Sequence, residues 1–413
     1  MSTLSDASHM EAAHHPMGFR EFVLIVASIM ALNPLAMDMM LPALPNIGAA
    51  FGISHANQVQ AVLSVFITGF GLGQLFMGPL TDRYGRRKVL LAGIVTYCIA
   101  SLLASFATSF ETLLMARVLQ GFSTASTRVI ATSVVRDCYS GRRMASVMSL
   151  TMIVFMAVPV LAPAFGQMVL AFAQWRGIFI TLSLCGVVML VWCTLRLPET
   201  LPVNARRSIA IGSVLRAYKQ TLCTRQTIGY ALATGGTMGG LFGYIFNSQQ
   251  VFTEVFHLGV YFPVAFAAIA IGIAFAGILN SQLVVRFGMR VMSHTALIAQ
   301  AVISTIMLTA FAFDVLSLAP FMVLSMAQMF TFGVITSNFN ALAMEPQGKI
   351  AGTASSMYGS LTTLIGVSVG YAISQSYDGT LKAQLLGFLL CTLTTIAIVL
   401  IVEKGRLFGH GAK

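Results

Sequence analysis

The chain has 413 residues, 57% of them apolar and only 9% charged, with a formal net charge of +11. Soluble domains carry about 25% charged residues, so a soluble fold of this size could not hide so much apolar surface, and the solvent must be lipid. Nucleic-acid binding is excluded as the meaning of the positive charge, because the basic residues punctuate apolar runs and form no single patch.

Residues 1–20 are polar, contain His9, His14 and His15, and read as a cytoplasmic tail. The apolar run that follows is long and lacks a cleavage pattern, so it should insert and stay. A span needs about 20 apolar residues. Twelve runs meet this, near 21–44, 58–79, 89–107, 111–134, 145–171, 177–196, 226–250, 261–284, 291–313, 318–341, 353–376 and 383–403. The run at 145–171 is too long for a straight crossing and contains Pro159 and Pro163, which predicts a tilt or a kink. The prediction is thus an all-α membrane protein in two halves, 21–196 and 226–403, joined by a linker at 197–225 and ending in a tail at 404–413. The linker places Val214, Leu215, Tyr218 and Leu222 at helical spacing, with Arg216, Lys219 and Gln220 between them, as a short interfacial helix would.

With the N-terminus in the cytoplasm, 20 of the 24 lysines and arginines fall on cytoplasmic segments. Only Arg176 and Lys382 fall on the opposite side, while Arg117 and Arg128 lie inside a span. That asymmetry predicts two cytoplasmic termini. The six cysteines, Cys98, Cys138, Cys185, Cys193, Cys223 and Cys391, form no CxxC pair and read as packing residues.

The halves resemble each other. GPLTDRYGRRK at 78–88 follows the second run and SQLVVRFGMRV at 281–291 follows the eighth, matching Arg83 to Arg286, Gly85 to Gly288 and Arg87 to Arg290. Repeats at the six-span scale are a transporter signature. In the first loop Gly78 permits close helix approach and Gly85 a tight turn. Asp82 is expected to face the positive N-terminus of the eleventh helix at Gly352 and Thr353. Arg86 is expected to pair with Asp137, and both contacts would latch the cytoplasmic side. The alternative is that this charge only sets topology.

Asp38 is the one acid well inside a span. An unpaired charge there costs at least about 2.5–3.5 kcal/mol, so a carboxyl able to gain and lose a proton could couple proton flux to conformation. The alternative is a structural hydrogen bond. Arg117 stays charged and needs a partner or a wet cavity; Asp38 is a candidate, and a brace of backbone carbonyls and Gln74 is the alternative. Arg128 follows eleven residues later, about 16 Å along the same face. It either snorkels to water or makes the cavity positive and favours anionic or zwitterionic cargo. Met37, Tyr244 and Phe246 are weak cavity candidates, with Phe242 beside them. Gln249 and Gln250 line either the cavity or the water interface. Most of the 24 methionines read as packing.

The 78–88 loop resembles the hallmark loop of the major facilitator superfamily. ARVLQG at 116–121 resembles the fourth-helix motif of its proton-coupled members, and MDMMLPALP at 37–45 resembles the first helix of bacterial drug exporters. VPVLAPAFG at 158–166, with Pro159, Pro163 and Gly166, resembles their fifth-helix antiporter motif. ETLP at 199–202 and AGTASS at 351–356 narrow the resemblance to the bicyclomycin/chloramphenicol-resistance (Bcr/CflA) branch. The resemblance runs from about residue 20 to 400. It implies twelve transmembrane helices in two pseudosymmetric six-helix bundles, alternating access, and proton-driven export of small molecules. It also implies that Asp38 and Arg117 serve proton coupling. Three positions depart from the family: Arg128, where a small or apolar residue is usual; Met30, near which some relatives carry a second carboxyl; and Gln249–Gln250 in place of Ser-Pro.

No Walker loop, HExxH or nucleophile elbow is present. The expectation is therefore a non-enzyme with no cofactor, driven by the proton gradient in a bacterial inner membrane. Its expected partners are a small-molecule substrate, protons and the lipid bilayer, with no nucleic acid, and the chain should act as a monomer. Export of a drug is the leading reading. Export of a metabolite such as an amino acid or peptide, proton-coupled uptake, and a transporter-derived sensor without flux are the alternatives.

Overall fold

The computed structural model describes residues 17–206 and 211–409. The histidines of the N-terminal tail, Arg207 and Lys413 lie outside the described residues. Twelve long helices follow in order: Phe19–Asp38, Ala61–Tyr84, Arg86–Ser105, Phe110–Cys138, Gly141–Phe172, Arg176–Arg196, then Arg225–Gln250, Phe262–Phe287, Met289–Ala312, Leu318–Met344, Ala351–Gln375 and Lys382–Val402. They are called the first to twelfth spans below. The linker between the sixth and seventh holds the short helix Ile211–Cys223.

Among the described residues, nine helices are long and apolar enough to cross a membrane by composition. The three others are the fourth, seventh and eleventh spans. Their polar residues explain the difference: Gln120, Ser123 and Thr127 in the fourth, Thr234 and Asn247 in the seventh, and Ser360 and Thr362 in the eleventh are all buried inside the protein. Helices that line an interior need not be apolar on every face.

The first span departs from the expected run of 21–44. Its α-helix ends at Asp38, turns tightly through Leu41–Ala43 and resumes as the short helix Leu44–Ala50. Pro42 is the cause, since it has no N–H to give the carbonyl of Asp38. The N–H of Met40 turns instead to the carbonyl of Met37 at 3.4 Å. The fifth span, in contrast, runs unbroken for 32 residues through Pro159 and Pro163.

Glycines set the helix spacing. A methyl group on Gly121 of the fourth span would run into the carbonyl oxygen of Phe66 in the second, and one on Gly69 into that of Val118. In the second half, Gly272 of the eighth span meets the carbonyl of Met326 in the tenth in the same way. Small residues let backbones approach where no water drives helices together. The internal repeat is visible in the backbone as well. Gly85 joins the second span to the third with φ 95° and ψ 157°, and Gly288 joins the eighth to the ninth with φ 83° and ψ 157°. Both lie at positive φ, where glycine is at ease.

The halves meet along the second and eleventh spans. Gln74 donates to Thr363 Oγ1 at 3.3 Å, and Gly78 and Gly71 lie against Ser356 and Leu364. In the linker helix, Tyr218 donates its hydroxyl to the carbonyl of Leu75 at 2.7 Å. Burial pushes that hydroxyl up to about 12, so it stays a donor across physiological pH. Replacing Gly121 by Ala should lower the melting temperature of the purified protein by several degrees, since overpacking costs roughly 1–3 kcal/mol. Gly212→Ala, which meets nothing within 4 Å, should leave it unchanged. Equal melting curves would show that the second and fourth spans have room to spare.

Candidate functional site

A cavity of about 480 Å³ lies between the halves. The second, fourth and fifth spans wall one side, through Gln74, Arg128 and Met152, and the seventh, tenth and eleventh wall the other, through Thr234, Asn340 and Tyr358. It shares Val129, Ser133, Arg136, Gly352 and Ser356 with a second cavity of about 260 Å³ that reaches the basic loop at Asp82 and Arg86. The chamber therefore runs toward the end of the molecule that carries the basic loops. Of the expected cavity residues only Arg128 lines it. Met37, Asp38, Tyr244 and Phe246 are buried in packed structure nearer the far end, with the Phe246 ring stacked on Phe242 at 5.9 Å.

The break in the first span puts Asp38 at a junction. Its side chain is 4% exposed, and Oδ1 has no hydrogen-bond partner. Gly166 of the fifth span packs against the carbonyl of the neighbouring Met39, so a side chain there would push the turn away. Tyr244 of the seventh span lies close enough to interact electrostatically with Asp38, and its hydroxyl is also unpartnered. Asn247, one turn further along, is fully buried with both amide atoms unpartnered.

Arg117 is not paired with Asp38. Its guanidinium donates to the carbonyls of Val62 at 3.0 Å and Ala36 at 3.1 Å, and to Gln120 Oε1 at 2.7 Å. It also sits over the Phe66 ring at 4.3 Å. The Ala36 carbonyl is open to it because the helix ends two residues later. Gln120 then donates to Ser101 Oγ at 2.7 Å, so one arginine ties together the first, second, third and fourth spans. This is the brace alternative, with Gln120 rather than Gln74 as the amide. Gln120 follows Arg117 by three residues, a helical-neighbour spacing that could have revealed it.

At the basic end, Arg86 binds Asp82 at 2.7 Å and Asp137 at 3.2 Å. Glu199 accepts the backbone N–H of Arg86 at 2.8 Å and of Arg87 at 3.3 Å. In the second half Glu403 binds Arg290 at 3.0 Å, and in both halves 113 residues separate the arginine from its acid. The paired placement of Glu199 and Glu403 after the last span of each half was a signal the motif reading passed over. The Arg86–Asp137 pair lies within one half, so relative movement of the halves would not strain it, contrary to its expected role as a latch. Asp82 shares a cavity with Gly352 and Thr353, as expected, but its carboxylate is turned to Arg86.

The far end is shut by neutral groups. Asn57 donates to the carbonyl of Tyr377 at 2.8 Å, Gln375 donates to the carbonyl of Asn57 at 2.8 Å, and Gln60 donates to Gln250 at 3.0 Å. Gln250 is thus a tie between the halves, not part of the central chamber, and Gln249 faces a separate cavity of about 240 Å³ beside it. Among the described residues, no hydrogen bond or ion pair joins the first six spans to the last six at the basic end. Replacing both Asn57 and Gln250 by Ala should loosen this closure. In a cysteine-free background, Leu44→Cys, buried at the wall of the far-end cavity, should then react with a membrane-impermeant maleimide roughly fivefold faster or more, for hydrogen bonds of about 1 kcal/mol each. Unaltered labelling would mean that other contacts hold the far end.

Known proteins share this geometry. The sequence pattern of the Major Facilitator Superfamily matches residues 26–371. An uncharacterized MFS-type transporter of Bacillus subtilis, YdgK, is 33% identical over 366 residues, covering 86% of this chain and 89% of that protein. A bicyclomycin resistance protein homolog of Haemophilus influenzae is 27% identical over 394 residues, covering 94% of this chain and 98% of that one. Among solved structures, the xylose transporter XylE of E. coli, in a partially occluded inward open conformation, superposes with a TM-score of 0.73 at 11% identity, over 93% of this chain and 98% of that one. A chamber held between two matching sets of six spans, inside the stretch that the superfamily pattern covers, leaves one assignment: the chain is a membrane transporter belonging to the Major Facilitator Superfamily.

Proposed function

We propose that this transporter exports a small, moderately lipophilic molecule, a drug or antibiotic, in exchange for protons. The two halves rock about the central cavity to give alternating access. The basic end is cytoplasmic, in keeping with the positive-inside rule, so both termini lie in the cytoplasm of a bacterial cell and the chamber described above is inward-facing. The protein works as a single chain in the inner membrane, with the proton gradient as its only energy source. Similarity to a bicyclomycin resistance protein homolog supports a drug as cargo.

The observation that carries proton exchange is the Asp38 carboxyl, buried at a helix break with an oxygen left unpartnered. Such a group is stable neutral and unstable charged in a dry site, so protonation and local geometry must change together. Its neighbours reach both halves: Met39 packs on the fifth span and Tyr244 comes from the seventh. A polar stripe along the seventh span, Tyr244, Asn247 and Gln250, leads from Asp38 to the far-end cavity, where Glu254 also stands. Three-residue spacing keeps these groups near one face. In the proposed cycle a proton enters from outside along that stripe and neutralises Asp38. The halves then close on the far side, and the proton leaves to the cytoplasm as cargo loads.

Acid on the far face, which is the lumen of everted vesicles, should stimulate movement of cargo toward that face. Asp38→Asn should insert and fold normally yet lose active efflux under an imposed pH gradient. Undiminished efflux by that variant would remove Asp38 from the coupling step.

A further inference from the structure

Arg128 is one of the three positions at which the sequence departs from the family it resembles, and the proton exchange just described makes no use of it. The side chain is exposed to the central cavity, not to lipid. Its guanidinium carries five donors and stays charged. Among the described residues it makes no hydrogen bond or ion pair, and it lies over the Phe70 ring at 5.9 Å. Arg117, eleven residues earlier on the same helix face, is held by the Val62 and Ala36 carbonyls and Gln120, with Nη2 unpartnered. The two arginines were read together in the sequence but have opposite surroundings.

The cavity around Arg128 contains a second cation, Arg136, and no Asp or Glu in its lining. The nearest carboxylates, Asp82 and Asp137, are both bound to Arg86 at the mouth. Asp38 is absent from the lining. Opposite Arg128 stands Tyr358, close enough to interact electrostatically, with its hydroxyl bonded to Thr234 Oγ1 at 2.7 Å. Tyr358 and Thr234 belong to the second half, so an anion held by Arg128 and the Tyr358 hydroxyl would touch both halves at once. Met152 and Met238 supply apolar wall. A volume of about 480 Å³ falls within the roughly 300–1,000 Å³ of small-molecule pockets.

We propose that Arg128 and Tyr358 form an anion subsite, and that the cargo of this transporter is an organic acid: a carboxylate on an apolar body. The inference rests on the reading of the chain as a transporter of small molecules and names the class of molecule. A cationic cargo would meet two positive charges and no negative one.

The test is equilibrium binding to the purified full chain in nanodiscs, so it is independent of transport direction and of proton coupling, and Asp38→Asn serves as a background in which exchange is broken. The probes are dansylglycine and 2-naphthoxyacetate, each beside its primary amide, with dansyl-ethylenediamine as the cationic analogue, all followed by fluorescence. The carboxylates should bind roughly tenfold or more tighter than their amides, as charge-assisted hydrogen bonds allow, and the cation most weakly. That preference should vanish in Arg128→Gln and return in Arg128→Lys. Amides binding as well as acids, no binding by any carboxylate, or a preference that survives Arg128→Gln would each overturn the subsite. If Arg128→Gln fails to fold, the ranking of acid, amide and cation on the wild-type protein decides.

Discussion

Hydrocarbon gives a charge no partner, so every ionisable group inside this protein must be answered by the protein itself. Three such groups sit in the first half, and each is answered differently. Arg117 is held by two carbonyls, an amide and an aromatic face, with Nη2 left unpartnered. Arg128 is placed in a polar chamber. Asp38 is given neither arrangement in full, with one oxygen unpartnered in a dry junction. The third is the arrangement that the proposed proton exchange uses.

The distribution of bond types fits a molecule built to rock. Ion pairs lie within a half: Arg86 with Asp82 and Asp137, and Arg290 with Glu403. Glycine-spaced backbones lock helices within a half as well, Gly121 against Phe66 and Gly272 against Met326. Between the halves the ties are amides and hydroxyls: Asn57, Gln60, Gln74, Gln250 and Gln375. A neutral hydrogen bond contributes about 0.5–1.5 kcal/mol net, because water replaces the lost partner readily. A seam made of such bonds opens without leaving a bare charge behind. The linker helix, bonded to Leu75 of the second span by Tyr218, also packs on the seventh and eleventh spans.

The spans, their number and the six-plus-six division were legible because lipid imposes one rule on every residue that faces it. The fourth, seventh and eleventh spans still read as apolar runs, although they hold the buried polar groups that line the interior. The helix break was harder to see: MDMMLPALP was read as part of a continuous span, and only Pro42 and Pro45 hinted that the α-helix stops at Asp38. The site residues were legible as residue types but not as partners. Arg117 and Asp38 are the obvious pair of opposite charges in one bundle, yet the arginine is held by the Ala36 carbonyl freed by the break, the Val62 carbonyl of the second span and Gln120. The cavity residues were misplaced for a conformational reason. Tyr244, Phe246 and Gln250 lie on the half of the seventh span that is closed in this state, while Thr234 and Met238, two turns away, line the open half.

The break at Asp38 also bears on the proposed coupling of one proton to two bundles. A continuous helix would carry a change at Asp38 only along its own axis. Here the chain turns at Met39 and Met40, and the turn is wedged between Gly166 of the fifth span and the Tyr244 face of the seventh. Gly166 has no side chain to yield, so a shift of the Met39 carbonyl must displace the fifth span or the turn itself. The fifth span in turn lies against the eighth, and Tyr244 stacks on Phe266 of that same eighth span at 5.9 Å. Both routes out of the junction therefore end on one helix of the opposite half. On the proposed proton exchange, a small rearrangement after a change of charge at Asp38 would reach the second bundle from two sides, and packed helices answer such a push by moving as bodies because they cannot deform continuously.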